Sequence, residues 1–182
     1  VVPHCLDSQE INNSTGGMDN QLNPFKDHFK FLSVFQWTER KNPIGLLKAY
    51  FTEFYGHDDV VLVIKSYRSN TGEEQKNIIK QQIKGLKQDM RLDPEKTPKI
   101  VFIGDLVTKH ELLSLYNGCD CFVLPTRGEG FGLPFAEAAA AGCKVVAPAQ
   151  TGQGEILNGL ETAYLTQNYF WTPVCGMPWI PN

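Results

Sequence analysis

No apolar stretch of the sequence approaches the ~20 residues that a helix needs to cross a bilayer, so no spanning helix is expected, and peripheral membrane contact stays open only for a full-length protein. Basic residues are neither abundant nor clustered. The 17 Lys and Arg against 20 Asp and Glu give a formal charge of -3, and without a basic stripe a nucleic-acid partner is not expected. The five cysteines (Cys5, Cys119, Cys121, Cys143, Cys175) are an odd number, and three lie in apolar runs where small buried thiols are common. That usage argues for a reducing, cytoplasmic compartment. Cys119-Asp120-Cys121 has no second cysteine pair or histidine cluster to complete a ligand set, so no metal is expected. Asn12 and Asn13 head N-glycosylation triplets, but no signal-peptide pattern accompanies them and polar linkers produce such triplets by chance.

What is present is ordinary globular usage, with 42% hydrophobic and 20% charged residues in 182, enough for one domain with a substantial core. Residues 1–29 are polar and lack a sustained period, and read as a linker leaving a missing amino-terminal domain. From Phe31 short apolar runs alternate with helical segments. The runs are 31–35, 60–64, 100–103, 121–124 and 144–147, five strands of a parallel sheet.

Asn42-Pro43 supplies an N-cap and a first-turn proline for a helix running to about Tyr55, with Leu46, Leu47, Tyr50, Phe51 and Phe54 as its stripe. A second helix spans Glu73 to about Leu92, a third begins near His110, and a fourth covers Leu133 to about Ala141 before Gly142. Residues 30–167 thus predict an α/β fold, a Rossmann-like doubly wound parallel sheet, with 168–182 as a truncated tail. Ligands of such sheets bind beyond the carboxyl ends of the strands, here the loops at 36–42, 65–72, 104–109, 125–132 and 148–154. No Gly-x-Gly-x-x-Gly follows the first strand and no P-loop occurs, which removes support for a dinucleotide dehydrogenase and for a P-loop phosphotransferase.

Chemistry concentrates in Leu124-Pro125-Thr126-Arg127-Gly128-Glu129-Gly130-Phe131-Gly132-Leu133-Pro134-Phe135-Ala136-Glu137, which joins a buried strand to a helix. Glycines let backbone approach a ligand, and free amides at a helix start suit a phosphate or a group of hydroxyls. Seven residues separate Glu129 from Glu137. Each carboxylate can accept from two neighbouring hydroxyls, so one acid can hold a ribose diol and the other a donor sugar. A glycosidase pair needs carboxyl groups roughly 5 to 9.5 Å apart, whereas this spacing separates them by about 12 Å or more. The plainer readings are a loop charge at Glu129 and a first-turn acid favoured by the helix dipole at Glu137.

The segment from Arg127 to Gly142, with Val145-Val146-Ala147 and Gly152, resembles the signature of the retaining glycosyltransferases of the GT-B fold, the group that includes sucrose and glycogen synthases and many mannosyltransferases. The likeness extends to Phe31–Phe35 with Arg40-Lys41-Asn42-Pro43, to Val101–Asp105 with Leu115-Tyr116, and to Val2-Pro3-His4, which is similar to the crossing between the two domains of such enzymes.

The resemblance implies the second, donor-binding domain of a GT-B glycosyltransferase, transferring a hexose from a UDP-, GDP- or ADP-linked sugar with retention and without metal or organic cofactor. It makes Lys41 a diphosphate ligand and Glu129 the ligand of the transferred sugar, the two catalytic candidates. Glu137 would hold the ribose, backbone at Gly130, Phe131, Gly132 and Leu133 the sugar and diphosphate, and the segment through Leu106 the nucleobase. Where the family carries a second diphosphate-binding arginine this sequence has Gln36. Either Arg40 or Lys65 supplies that charge, or leaving-group stabilisation is weaker; Lys65 reads equally as a solvated strand-end lysine. Acceptor contacts would come from the missing amino-terminal domain, so the chain alone is expected to bind donor weakly and transfer little. Three rivals stay open: a non-catalytic nucleotide-sugar-binding or scaffold domain, a GT-B sugar-nucleotide epimerase, and a purely structural Rossmann-like domain for which the Ala138–Ala141 run speaks.

Overall fold

The computed structural model describes residues 6–167. Their order is α1 (Ser8–Asn13), α2 (Asp19–Leu22), a 3-10 turn (Asn23–Phe25), β1 (Phe29–Gln36), a second 3-10 turn (Glu39–Lys41), α3 (Pro43–Glu53), β2 (Val60–Tyr67), α4 (Glu73–Asp89), β3 (Lys99–Ile103), α5 (Lys109–Gly118), β4 (Cys121–Val123), α6 (Leu133–Ala140), β5 (Lys144–Pro148), α7 (Gly152–Leu157) and β6 (Ala163–Thr166). All strands are parallel, in the order β3-β2-β1-β4-β5-β6.

The chain starts at the middle of the sheet, runs outward one way to β3, then crosses back to β4. β1 therefore has β2 on one flank, with Phe29 opposite Val60, and β4 on the other, with Phe31 opposite Cys121 and Leu32 opposite Phe122. The helices that follow β1 and β4, α3 and α6, pack on opposite faces of the sheet, and in such a sheet the ligand crevice lies above the carboxyl ends at this switch point. Aromatic packing shows the two layers. Phe31 meets Tyr50 and Phe54, within and just beyond α3, while Phe122, in register with Leu32, meets Tyr116 of α5 and Phe135 of α6. β2 is covered on both sides, and Val61, Leu62, Val63 and Ile64 are each 0% exposed, as expected of a central parallel strand.

Helix starts follow local chemistry. Asn42 takes the left-handed conformation (φ 57) and its side chain accepts from the Gly45 N–H at 3.3 Å, with Pro43 in the first turn of α3. Thr108 and Glu111 form a reciprocal capping box that starts α5 at Lys109, a residue ahead of the expected place. α3 and α4 end at Glu53 and Asp89, slightly short of the predicted ends.

Two features differ from the sequence reading. The polar stretch before β1, read as a linker, forms α1 and α2, and Ile11, Met18 and Leu22 are buried in the main core. Asn117 on α5 donates to the carbonyls of Ile11 and Ser14, and Ser114 Oγ accepts from the Gly17 N–H. Three apolar anchors in that stretch are too few to show a period, so docking was not legible. The sheet also has a sixth strand, β6, preceded by the short α7. Its exposed Tyr164 and Thr166 alternate with half-buried Ala163 and Leu165, the pattern of a short edge strand.

Cys119, Cys121 and Cys143 are buried free thiols, and burial pushes Cys121 up to about 11 and Cys143 up to about 12. Among the described residues no group of three or more His, Cys, Asp and Glu could hold a metal ion, and no helix is long and apolar enough to cross a membrane. Val2-Pro3-His4, Cys5, Cys175 and the tail at 168–182 lie outside the described residues.

Candidate functional site

Above the carboxyl ends of the central strands lies a cavity of about 770 Å³, lined by Gln36, Arg40, Lys41, Lys65 and Tyr67 and by the apolar Leu106, Val107, Leu112 and Pro134. Its volume is that of a pocket for an organic ligand of moderate size. Its lining combines cationic and apolar residues, so it suits a ligand with an anionic part and a flat or apolar part.

Glu129 is the electrostatic centre of the loop after β4. Its carboxylate is only 8% exposed and accepts from Lys41 Nζ at 2.5 Å, while Arg40 Nη1 lies 3.1 Å from its other oxygen. Thr126 Oγ1, itself buried, donates to Glu129 Oε1 at 2.8 Å. Burial raises the Glu129 carboxyl, but the hydrogen bonds from Lys41 and Thr126 and the charges of Lys41 and Arg40 outweigh it and hold the group below its ordinary value. Glu129 is therefore an ionised carboxylate with two cationic partners.

Two further contacts hold the loops around it together. The Arg127 N–H donates to the Arg40 carbonyl at 2.7 Å, joining the β4 loop to the β1 loop. The Glu129 N–H donates to Thr151 Oγ1 at 3.0 Å, joining it to the β5 loop, and the Thr151 hydroxyl donates to Gln153 Oε1 at 2.8 Å. Gln153 is 0% exposed and donates to the carbonyls of Pro148 and Gln150. Thr151 adopts φ 66, an unfavourable conformation for a β-branched residue; the hydrogen bonds on both sides of its hydroxyl hold it there. Thr126, Thr151 and Gln153 were not singled out from sequence. The polar cluster Gln150-Thr151-Gly152-Gln153 directly after an apolar strand was the available signal.

The glycines serve different ends. A Cβ at Gly130 would meet nothing within 4 Å, so the protein around it does not itself require glycine there. Gly132, in contrast, takes φ 87 at the start of α6, and a Cβ there would press on Gln153 and Phe135 at 3.0 Å; a Cβ at Gly152 would overlap the Gly130 carbonyl. Gly132 is thus required by its left-handed backbone and by its neighbours Gln153 and Phe135, and Gly152 by the close packing of the β4 and β5 loops.

Glu137 lies in the second turn of α6 and is half-buried. The hydroxyl of fully buried Tyr116 donates to its Oε2 at 3.0 Å. Burial raises the Glu137 carboxyl, with the Tyr116 hydrogen bond and the Lys109 charge acting the other way. It is held by a neutral donor, in contrast to Glu129.

Gln36 Nε2 donates to the Arg68 carbonyl at 2.9 Å, so this amide ties the ends of β1 and β2 together at the cavity wall. Arg40 is engaged by Glu129 and by the Gly128 carbonyl. Lys65 is buried, not a solvated strand-end lysine; its ammonium lies 6.0 Å from the Tyr67 ring centroid and makes no ion pair among the described residues. Burial lowers its pKa, opposed by the Asp105 charge, and Asp105 is itself paired with Lys76. Of Arg40 and Lys65, Lys65 is the one without a carboxylate partner among the described residues. Leu106 is 83% exposed at the cavity mouth, Leu133 is exposed at the start of α6, and Phe131 is half-buried. Trp37 is core, stacked on Phe35 at 5.6 Å.

A six-stranded parallel sheet of this order, with a cationic and apolar cavity above its switch point, is the Rossmann-like fold of the GT-B glycosyltransferase domains. The chain belongs to the family described as glycosyl transferases group 1, whose model matches residues 17–172. Among solved structures it is similar to the C-terminal domain of the group 1 glycosyl transferase LpcC from Francisella tularensis (24% identity, 90% of this chain and 80% of that chain, TM-score 0.65). It is also similar to the E. coli trehalose-6-phosphate protein bound with UDP-2-fluoro glucose (15% identity, 88% and 39%, TM-score 0.68) and to Anabaena HepE in complex with UDP-glucose (20%, 88% and 41%, TM-score 0.64). The chain thus spans about two fifths of the length of the latter two. A search of curated protein sequences gave no match.

Proposed function

We propose that this domain binds a nucleoside diphosphate hexose and, with a second domain outside the chain that receives the acceptor, transfers the hexose with retention of anomeric configuration. The observation that carries this reading is the ionised Glu129 bridged to Lys41 and Arg40 beside a cavity that also holds Lys65, which has no ion-pair partner among the described residues. Glu129 would accept from hydroxyls of the donor sugar, and Lys41 would turn to the diphosphate. A fixed cation there stabilises the charge that builds on the leaving group as the sugar–phosphate bond breaks. Lys65 supplies the second positive charge in place of the family's arginine, Gln36 contributing a neutral amide. Glu137, held by Tyr116, faces the ribose diol, and the apolar Leu106 and Val107 flank the base.

UDP-glucose is the first donor to test, since the E. coli and Anabaena relatives hold UDP-sugars. Neither a metal nor an organic cofactor enters this scheme, and three buried reduced thiols suit a cytoplasmic setting. The test is transfer assayed in chelator on a protein that includes the acceptor-binding domain, with the product's anomeric configuration read by NMR. Retention, with turnover lost in Glu129→Gln, is the expected result; inversion, or unchanged turnover in Glu129→Gln, overturns the assignment. A binding or scaffold role is the second reading, favoured by Gln36 in place of arginine. It requires the biological role to survive Glu129→Gln.

A further inference from the structure

A second cavity, of about 570 Å³, opens beside the first, lined among others by Trp37, Glu39, Pro43, Arg68, Gln82 and Arg127. None of these residues has a part in the donor scheme above. A small cleft of about 200 Å³ joins the two: it shares Gln36 and Ser69 with the donor cavity and Trp37, Thr38 and Arg68 with the second one. A ligand seated in the second cavity is thus a neighbour of whatever occupies the first.

Its chemistry is specific. Arg68 and Arg127 both line it, and neither forms an ion pair among the described residues. Arg127 is fixed by neutral acceptors alone, its Nε donating to the Glu39 carbonyl and its Nη2 to Asn42 Oδ1, each at 3.3 Å. Arg68 has its backbone carbonyl tied to Gln36 Nε2 at 2.9 Å and its side chain without a hydrogen bond among the described residues. Two guanidinium groups held without carboxylate partners are suited to a tetrahedral anion, which they bind in a forked geometry. The remaining lining suits a polyhydroxyl body. The Glu39 carboxylate, unpaired among the described residues, can accept from hydroxyls, and Gln82, whose Oε1 is taken by Trp37 Nε1 at 2.8 Å, keeps its amide protons for a ligand. Pro43 and Ile44 present apolar surface for the C–H face of a ring.

We propose that this second cavity is a binding site for a sugar or polyol carrying one phosphate group, the phosphate on Arg68 and Arg127 and the hydroxyls on Glu39 and Gln82. Building on the donor-site reading, it is the place where this domain contributes contacts to a phosphorylated acceptor. The ligand's own hydroxyl would enter the donor cavity by way of the cleft at Gln36 and Thr38.

Trp37 provides the reporter, because its indole N–H lies against Gln82 at the cavity wall. The ¹⁵N-labelled chain is titrated with glucose 6-phosphate, with glucose and with inorganic phosphate, following the Trp37 indole resonance assigned from Trp37→Phe. The expected result is a saturable shift with glucose 6-phosphate, weakened at least tenfold in Arg68→Gln and in Arg127→Gln. Glucose should give no saturable shift, and inorganic phosphate should bind more weakly than the sugar phosphate. UDP affinity, read by calorimetry, should be unchanged in Arg68→Gln and in Arg127→Gln, so loss of the donor reading and loss of this one are separable. No shift with glucose 6-phosphate, a shift indifferent to both arginine variants, or inorganic phosphate binding as tightly as the sugar phosphate would overturn the proposal.

Discussion

Replacing Glu129 by glutamine should weaken the fold yet tighten the binding of a sugar-free nucleoside diphosphate. In the free protein both Lys41, at 2.5 Å, and Arg40, at 3.1 Å, are neutralised by this one carboxylate. Lys41 is only 10% exposed, so losing its counter-ion costs about 3 kcal/mol, the lower end of what removing one partner of a buried pair costs. Thr126 and the remaining amide oxygen soften that loss. The same change releases two cations that UDP would otherwise have to win from Glu129. A charge-assisted hydrogen bond contributes about 1.5 kcal/mol or more, and 1.4 kcal/mol corresponds to a tenfold change in Kd, so UDP should bind about tenfold more tightly to Glu129→Gln. UDP-glucose should gain less, since its sugar loses a carboxylate partner. The assay pairs calorimetric titration of UDP and UDP-glucose in chelator with thermal unfolding of both proteins. Unchanged or weaker UDP affinity in a folded Glu129→Gln variant would refute the idea that Glu129 holds the diphosphate cations in reserve.

The Glu129 carboxyl lies below its ordinary value of 4.5, so its contribution to stability is fully present above that value and is lost as pH falls through the lower folded-state one; acid unfolding followed by circular dichroism should lose this component in Glu129→Gln. Glu137 has the opposite sign: its raised carboxyl favours the folded state at low pH and costs stability as pH rises past 4.5. Glu137→Gln should therefore raise the midpoint of thermal unfolding at neutral pH while weakening UDP by about tenfold, the loss of one charged hydrogen-bond acceptor. Lys65→Met should also weaken UDP by about tenfold, with no loss of folding stability, because it removes a buried ammonium without an ion-pair partner among the described residues. Gly152→Ala should destabilise by about 1–3 kcal/mol, as overpacking does, and abolish donor binding, because a Cβ there overlaps the Gly130 carbonyl; urea unfolding and titration of UDP-glucose read the two effects.

Much of this architecture is legible in the sequence. The segment Gly128-Glu129-Gly130-Phe131-Gly132-Leu133-Pro134 is local, so its glycines, carboxylate and helix start were visible together, and the runs feeding β1 to β5 are apolar enough to stand out. β6 was hidden because an edge strand buries little, and α1 and α2 because Ile11, Met18 and Leu22 anchor them through isolated contacts. The contact that matters most in the site, Lys41 with Glu129, joins positions 88 residues apart. Nothing in either neighbourhood announces it; the strand order that places β1 beside β4 creates it. The same holds for Thr126, Thr151 and Gln153, whose hydroxyl and amide groups become part of the site through the packing of three loops. Lys65 could be placed at a strand end from sequence, but its burial and its lack of an ion-pair partner among the described residues follow from the walls around it.

The most direct test is a calorimetric titration of the chain, in chelator, with UDP, GDP and ADP and their glucose conjugates, repeated on Lys41→Ala and Glu137→Ala. The expected result is saturable binding of one nucleotide series, weakened at least tenfold in both variants that remain folded. A folded chain that binds none of these ligands, or binds one with an affinity indifferent to both substitutions, would contradict a donor site built from Lys41, Glu129 and Glu137.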